Sequence, residues 1–324
     1  MLISVLLFAV GLVLLIKGGD WFVDGATGIA KRFNLPDIVV GATVVSIGTT
    51  LPEVMVSTTG ALAGSGAMAY GNAIGSIICN TALIAAISIT CNPGPVNVKS
   101  MKTPAIFFFA SAALYCVAAY ALGTFPRWMG FMMLTIFVVY MILTVRNGMK
   151  NPDEAADEEE EESKVRKLWQ ELLLLVFGAA VIAVGADLLV DHGQVIALGL
   201  GVPETVVALL FVALGTSLPE LVTTITSLKK GRASLGVGNV IGANVFNLVL
   251  VSGVAVSLAP FDVPCENTLL NTGLNLSLVF DIPVMLGVMS LMIFPALLTK
   301  KLGRWQGIAL LCIYAAFCVC QFIL

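Results

Sequence analysis

The sequence predicts an all-α membrane protein: ten transmembrane helices built as two inverted five-helix repeats. Three observations predict it. Hydrophobic residues make up 58% of the 324 and charged residues only 11%, against about a quarter charged in a soluble domain. Apolar runs of about 20 residues, the length that crosses the hydrocarbon, recur along the whole chain. Finally, the chain matches itself when shifted by 167 residues.

The runs fall near 2–19, 38–62, 68–90, 104–122, 128–146, 169–189, 203–228, 234–258, 282–299 and 305–323. Mean hydropathy is +0.99. The opening "MLISVLLFAVGLVLL" lacks the positive n-region and small-residue cleavage site of a signal peptide, so it is expected to be the first helix. A net charge of −3, with no basic cluster interleaved with aromatics, argues against a nucleic-acid partner. Seven cysteines, of which only Cys265 falls in an expected loop, suggest no disulfide framework. The single histidine, His192, excludes a histidine-rich metal site.

Basic residues set the orientation. Of the 17, all but Lys17 and Arg127 fall on loops of one side when ten spans are drawn. The positive-inside rule places that side in the cytoplasm and both termini outside a cell membrane. The stretch "NPDEAADEEEEESKVRK", 151–167, joins the fifth and sixth spans. It reads as a solvated cytoplasmic linker, with calcium or lipid sensing as the alternative. The expected domains are therefore a first repeat over 1–147, an acidic linker over 148–168 and a second repeat over 169–324.

Under the shift, Asp20 falls on Asp187, Asp24 on Asp191, Pro36 on Pro203, Pro52 on Pro219, Glu53 on Glu220, Asn72 on Asn239 and Asn80 on Asn247. "SIGTTLPEVMVS" is thus the counterpart of "ALGTSLPELVTT", and "GNAIGSIICN" of "GNVIGANVFN". Such a shared register marks an internal repeat. Five spans per copy is an odd number, so the second copy sits upside down. Transporters of that plan bind their cargo near the midplane, where the repeats meet.

Each repeat carries Gly-Thr-(Thr/Ser)-Leu-Pro-Glu in the middle of its second span. The proline removes a donor and the glycine relaxes the backbone, so carbonyls are freed one turn before the glutamate. Freed carbonyls cannot face lipid. Thr49 and Thr216 precede Glu53 and Glu220 by four residues, which puts hydroxyl and carboxylate on one helix face. An all-oxygen ligand set suits hard cations such as sodium and calcium. In the third spans, Asn72, Ser76 and Asn80 form a polar stripe mirrored by Asn239, Ala243 and Asn247. Gly71, Gly75, Gly238 and Gly242 would let helix backbones approach closely there.

Blander readings stand beside these. Asn72 and Asn239 serve equally well as packing glue or as site residues, while Ser57, Thr223 and Thr224 fit glue better. Asp20, Asp24, Asp187 and Asp191 are expected near span ends, and Asp281 at an outer boundary. Two symmetry-related intramembrane acids, however, fit packing poorly. Each unpaired carboxylate would cost several kcal/mol at the membrane centre. No span positions a lysine or arginine beside them, so the countercharge must come from outside. One divalent cation neutralises both, whereas monovalent cations or protons must enter in greater number. Competition between those loads is the basis of exchange.

At these motifs the chain resembles the cation/calcium exchanger superfamily, most closely its prokaryotic sodium/calcium exchangers, over nearly its whole length. The resemblance implies that Glu53 and Glu220 hold calcium together with the carbonyls of Thr49 and Thr216. Sodium would use the same glutamates, the backbone at Ser46 and Ala213, the hydroxyls of Thr49 and Thr216, and Ser76. Thr50 and Ser217 complete the hydroxyl pairs beside the glutamates, and Asn80 and Asn247 line the centre. The first and sixth helices would slide against the rest, with bending at "KGGDW" and "VGADLL". Two positions depart from some relatives: Ala243 replaces a serine and Asn247 an aspartate, which bears on sodium stoichiometry and on potassium.

The expected function is therefore sodium/calcium antiport, not enzyme catalysis, with no cofactor and no obligatory protein partner beyond the lipid bilayer. Proton/calcium exchange on the same glutamates is the competing reading. An intramembrane protease fits poorly, because "KGGDW" only approximates the aspartyl motif and "AGSG" at 63–66 lacks a histidine partner. A scaffold has no use for paired acids.

Overall fold

The computed structural model describes residues 2–150, 166–200, 215–264 and 275–323. Ten helices carry the fold: α1 Leu2–Phe33, α2 Asp37–Leu62, α3 Gly66–Cys91, α4 Val98–Leu122 and α5 Arg127–Met149 come first. They are followed by α6 Leu168–Gly199, α7 Leu218–Lys229, α8 Ala233–Leu258, α9 Ser277–Thr299 and α10 Arg304–Ile323. Among the described residues nine helices are long and apolar enough to span a membrane. The exception is α7, whose expected span begins outside the described residues. Most of the acidic linker and Cys265 also lie outside them.

Burial sorts the helices into a core and a rim. The apolar window of α8 is 83% buried and that of α3 72%, against 22% for α1 and 17% for α10. Helices α2, α3, α7 and α8 pack on one another at the centre. The rim helices turn Leu6, Val13, Phe131, Leu173, Val176 and Trp305 outward, as lipid-facing surfaces require.

The inverted symmetry is visible in contacts as well as in sequence. Helices α1 and α6 run antiparallel along a seam of glycines. A Cβ at Gly11 would stand 2.9 Å from Gly185 O, and one at Gly18 would stand 3.1 Å from Gly178 O. The shift that carries Gly11 to Gly178 also carries Gly18 to Gly185, so each contact is the image of the other. Two small ladders repeat the pattern. Strand β1 (Gly94–Pro95) pairs antiparallel with β4 (Lys301–Leu302), and β2 (Thr124–Phe125) with β3 (Phe261–Asp262). Each ladder takes one strand from either half. Together these elements form the all-α membrane fold of two inverted five-helix repeats that the sequence predicts, apart from these two-residue strands.

Several local expectations are corrected. Helix α1 continues past residue 19 to Phe33, and α6 past residue 189 to Gly199, without interruption. The glycines of "KGGDW" and "VGADLL" therefore serve close helix approach: Gly19 packs on Val222 and Thr226, and Gly185 on Gly11. Asp20, Asp24, Asp187 and Asp191 lie within these long helices instead of at their ends. Among the glycines of the polar stripes, Gly238 packs on the Ile38 backbone and Gly242 on Ala42 and Ser46. By the shift, the counterparts for Gly71 and Gly75 are residues 205 and 209, which lie outside the described residues.

Candidate functional site

Helix α2 opens as α-helix over Asp37–Val40, widens to π geometry over Gly41–Val45 and resumes as α-helix at Ser46. A π-turn displaces the hydrogen-bond ladder by one residue and recurs at functional sites. Here side chains take over part of the ladder. Ser46 Oγ lies 2.8 Å from Gly41 O and 2.9 Å from Asn239 O, and Tyr140 Oη donates to Ala42 O at 2.8 Å. Pro52 sits inside this helix and cannot donate to Gly48 O, which deprives that carbonyl of its usual helical donor just before Glu53. Pro219 behaves differently. It stands in the first turn of α7, just after the N-cap position of Ser217, where a missing N–H costs nothing.

Helices α3 and α8 change geometry at the same repeat position. Each turns from α to π at its central asparagine, over Asn80–Ala85 and Asn247–Val251. Ser252 Oγ donates to Asn247 O at 2.9 Å, the same five-residue relation as Ser46 to Gly41.

Cross-repeat hydrogen bonds join these helices in image pairs. Thr49 Oγ1 donates to Asn239 Oδ1 at 3.1 Å, and Thr216 Oγ1 to Asn72 Oδ1 at 3.4 Å. Asn72 Nδ2 also donates to Glu53 O at 3.1 Å and to Ser57 Oγ at 2.8 Å. Both asparagines thus bridge the repeats next to the glutamates, and Ser57 is packing glue. This bridging was not legible in sequence, because nothing there pairs the threonine of one repeat with the asparagine of the other. Also missed was a second polar contact, in which Asn244 Nδ2 donates to Thr81 Oγ1 at 2.7 Å. An intramembrane asparagine at 244 was the available signal.

Most of the predicted residues are buried. Ser46, Thr49, Thr50, Glu53, Ser76, Asn80, Ser217, Glu220 and Asn247 are all buried, none more than 3% exposed. Thr216 is partly exposed, and Ala213 lies outside the described residues. The helices that carry Glu53 and Glu220, α2 and α7, pack against each other. Yet no oxygen of either carboxylate makes a hydrogen bond of good geometry to a described residue. The same holds for Thr50 Oγ1 and Ser217 Oγ, and for both side-chain polar atoms of Asn80 and Asn247. These unpaired atoms come as repeat images: Glu53 with Glu220, Thr50 with Ser217, Asn80 with Asn247.

A buried polar atom without a partner costs about 1–3 kcal/mol, and more when charged. Ion pairs among the described residues do not relieve this cost. They join Arg166 to Glu171, Lys230 to Asp20 and Asp24, and Arg232 to Asp37. Lys17, the one basic residue inside an expected span near the N-terminus, points outward. What remains is two acids and neutral oxygens, buried and related as repeat images. That donor set fits a dehydrated hard cation as cargo.

Inverted repeats closing over paired acids define a class, the secondary cation transporters. This chain belongs to the sodium/calcium exchanger protein family, whose model matches residues 3–146 and 171–323. A membrane protein of Methanocaldococcus jannaschii is 34% identical over 309 residues, covering 95% of this chain and 94% of that one. The sodium/calcium exchanger MaX1 of Methanosarcina acetivorans is 28% identical over 358 residues, covering 99% of both. Among solved structures, the sodium-calcium exchanger NCX_Mj soaked with sodium and strontium superposes with a TM-score of 0.79. It is 32% identical and covers 97% of each chain.

Proposed function

We propose that this protein is a sodium/calcium antiporter in which Glu53 and Glu220 hold the competing ions at the membrane midplane. One observation carries the reading: the four carboxylate oxygens of Glu53 and Glu220, repeat images of one another, are fully buried and make no hydrogen bond among the described residues. One calcium balances both charges, and sodium ions replace it only as a group, so either load permits a crossing that the empty site resists. Family membership and the names of the relatives support the choice of ions. The two five-helix repeats joined by a cytoplasmic acidic linker, with both termini outside, complete the proposed arrangement.

Alternating access is supported by an asymmetry between image pairs. Thr49 and Asn239 are 1% and 0% exposed, whereas Thr216 and Asn72 are partly exposed. By the positive-inside orientation, the closed pair lies toward the cytoplasm and the looser pair toward the outside. On this reading the conformer is open outward. Exchange to the inward form would require the glycine-zipped α1–α6 pair to slide along the core.

The test is isotopic calcium uptake into proteoliposomes driven by a sodium gradient or by a pH gradient. Sodium-driven uptake is expected; uptake driven only by protons would replace this reading with proton/calcium exchange.

Two site predictions follow from the geometry. Thr49→Ala and Thr216→Ala remove hydroxyls but keep the backbone carbonyls proposed to serve calcium. Each is expected to raise the sodium concentration for half-maximal exchange about five- to tenfold, the worth of one hydrogen bond, with a smaller effect on calcium. Equal weakening toward both ions would contradict that division.

Asn247→Asp adds a third carboxyl to a centre that already holds two. The variant is expected to gain acid inhibition or potassium sensitivity, because the extra charge requires a proton or a further monovalent cation. The native protein is expected to need no potassium. Uptake by both forms with and without potassium across a pH range decides the matter, and strict potassium dependence of the native protein would refute it.

A further inference from the structure

The two glycine turns beside the site share a backbone but not a charge. "LAGS", 62–65, joins α2 to α3, and "KKGR", 229–232, joins α7 to α8. Their glycines have the same left-handed conformation, φ 83° at Gly64 and 70° at Gly231. Their hydrogen bonds also correspond. Ser65 N donates to Gly60 O at 2.9 Å and Arg232 N to Ser227 O at 2.7 Å, while Gly64 N and Gly231 N bond to Ala61 O and Leu228 O. The turn therefore needs none of the three basic side chains.

Those side chains reach across to the first repeat. Lys230 Nζ donates to Asp24 Oδ1 at 2.7 Å and to Asp20 O at 2.9 Å, both on α1. Arg232 Nη1 meets Asp37 Oδ2 of α2 at 3.2 Å, with the two side chains only 15% and 3% exposed. The acids have images in the second repeat, Asp191 for Asp24 and Glu204 for Asp37, but the bases have none: Ala63 and Ser65 stand in their places. The sequence thus keeps acids at both sets of positions and bases at only one. A cavity of about 300 Å³, lined by Asp37, Asn92, Asn97, Gly231 and Ser234, adjoins the charged turn and leaves it room to shift.

We propose that Lys230, seconded by Arg232, is a positioning residue that latches α1 to the inner end of α7 and biases the transporter toward the outward-open conformer. This rests on the alternating-access reading above. Sliding of the α1–α6 pair must pull Asp20 and Asp24 away from Lys230, so the latch is made in one state and broken in the other. Among the described residues no equivalent ion pair opposes it on the outer face. Apparent affinity on each face scales with the fraction of protein open there, so a one-sided latch makes the two faces unequal.

The experiment compares half-saturating calcium on the two faces of oriented proteoliposomes. Lys230→Met is expected to shift the ratio of the outer to the inner value upward by about two- to fivefold, the range for a partly exposed ion pair. Lys230→Arg should hold the native ratio, and the exchanged pair Asp24→Lys with Lys230→Asp should restore it. Ala63→Lys, which puts a lysine at the repeat image of Lys230 with Asp191 as the image of Asp24, should move it the other way. A purely structural lysine would change protein yield or both faces together.

Hydrogen exchange over residues 20–33 is measured on the same variants and does not depend on flux. Faster exchange in Lys230→Met supports the latch even if no sodium-driven uptake is seen, a result that would sink the antiport reading alone. An unchanged ratio together with unchanged exchange would overturn the latch and leave the antiport reading standing.

Discussion

Replacing Glu53 or Glu220 by glutamine is expected to reduce calcium exchange at least about a hundredfold while leaving a folded, membrane-inserted protein. The amide has the carboxylate's shape but offers one neutral acceptor and a donor pair in place of two charged acceptors. A calcium ion then meets one negative charge where it had two, in a medium where an uncompensated charge costs several kcal/mol. The fold should survive, because neither carboxylate makes a hydrogen bond of good geometry among the described residues. Removing a buried charge without a protein partner even relieves a strain. Size-exclusion behaviour and thermal unfolding, measured beside isotopic flux, separate loss of transport from loss of structure. Near-native exchange in both single variants would show that the ions bind elsewhere.

Gly238→Ala is expected to destabilise the protein by about 3 kcal/mol, at the upper end for overpacking a close-packed contact. The added methyl would run into the carbonyl oxygen of Ile38, with Ile38 Cα 2.8 Å away. These are backbone atoms and cannot swing aside, so α8 must back away from α2. The same displacement stretches the Ser46 and Thr49 contacts to Asn239, so transport should fall along with stability. Gly287→Ala is the control: it lies on the exposed side of α9 with open space among the described residues where its methyl would go. A melting temperature lowered in the first variant and unchanged or raised in the second is the expected result. Equal melting temperatures would mean that the α2–α8 contact is looser than described.

The paired glutamates were legible because the sequence states them twice, in one register and with the same proline and glycine around them. The burial of Asn80 and Asn247 was legible on the same ground. The π geometry at those asparagines was not, since a ladder displaced by one residue leaves hydrophobic periodicity almost unchanged. The length of α1 was also misjudged, because Asp20 and Asp24 look like the polar end of a span. In the fold Asp24 is answered by Lys230, a residue 206 positions away, and no local rule can supply such a partner. The glycines of "KGGDW" misled for a similar reason. A missing Cβ permits either a bend or a close neighbour, and only the neighbour's position decides between them.

The cross-repeat contacts also have a consequence for synthesis. Thr49 and Asn239 are 190 residues apart, and β1 finds its partner only in the hairpin before the last helix. A nascent chain that has delivered five helices to the bilayer therefore holds one half of a binding site, one edge of each ladder and a glycine seam with nothing against it. Closing loops of that length is slow and comes late. Until α6 and α8 arrive, Glu53 must wait in the membrane beside lipid or a chaperone. The most vulnerable moment in the life of this protein thus falls before its second half has been translated.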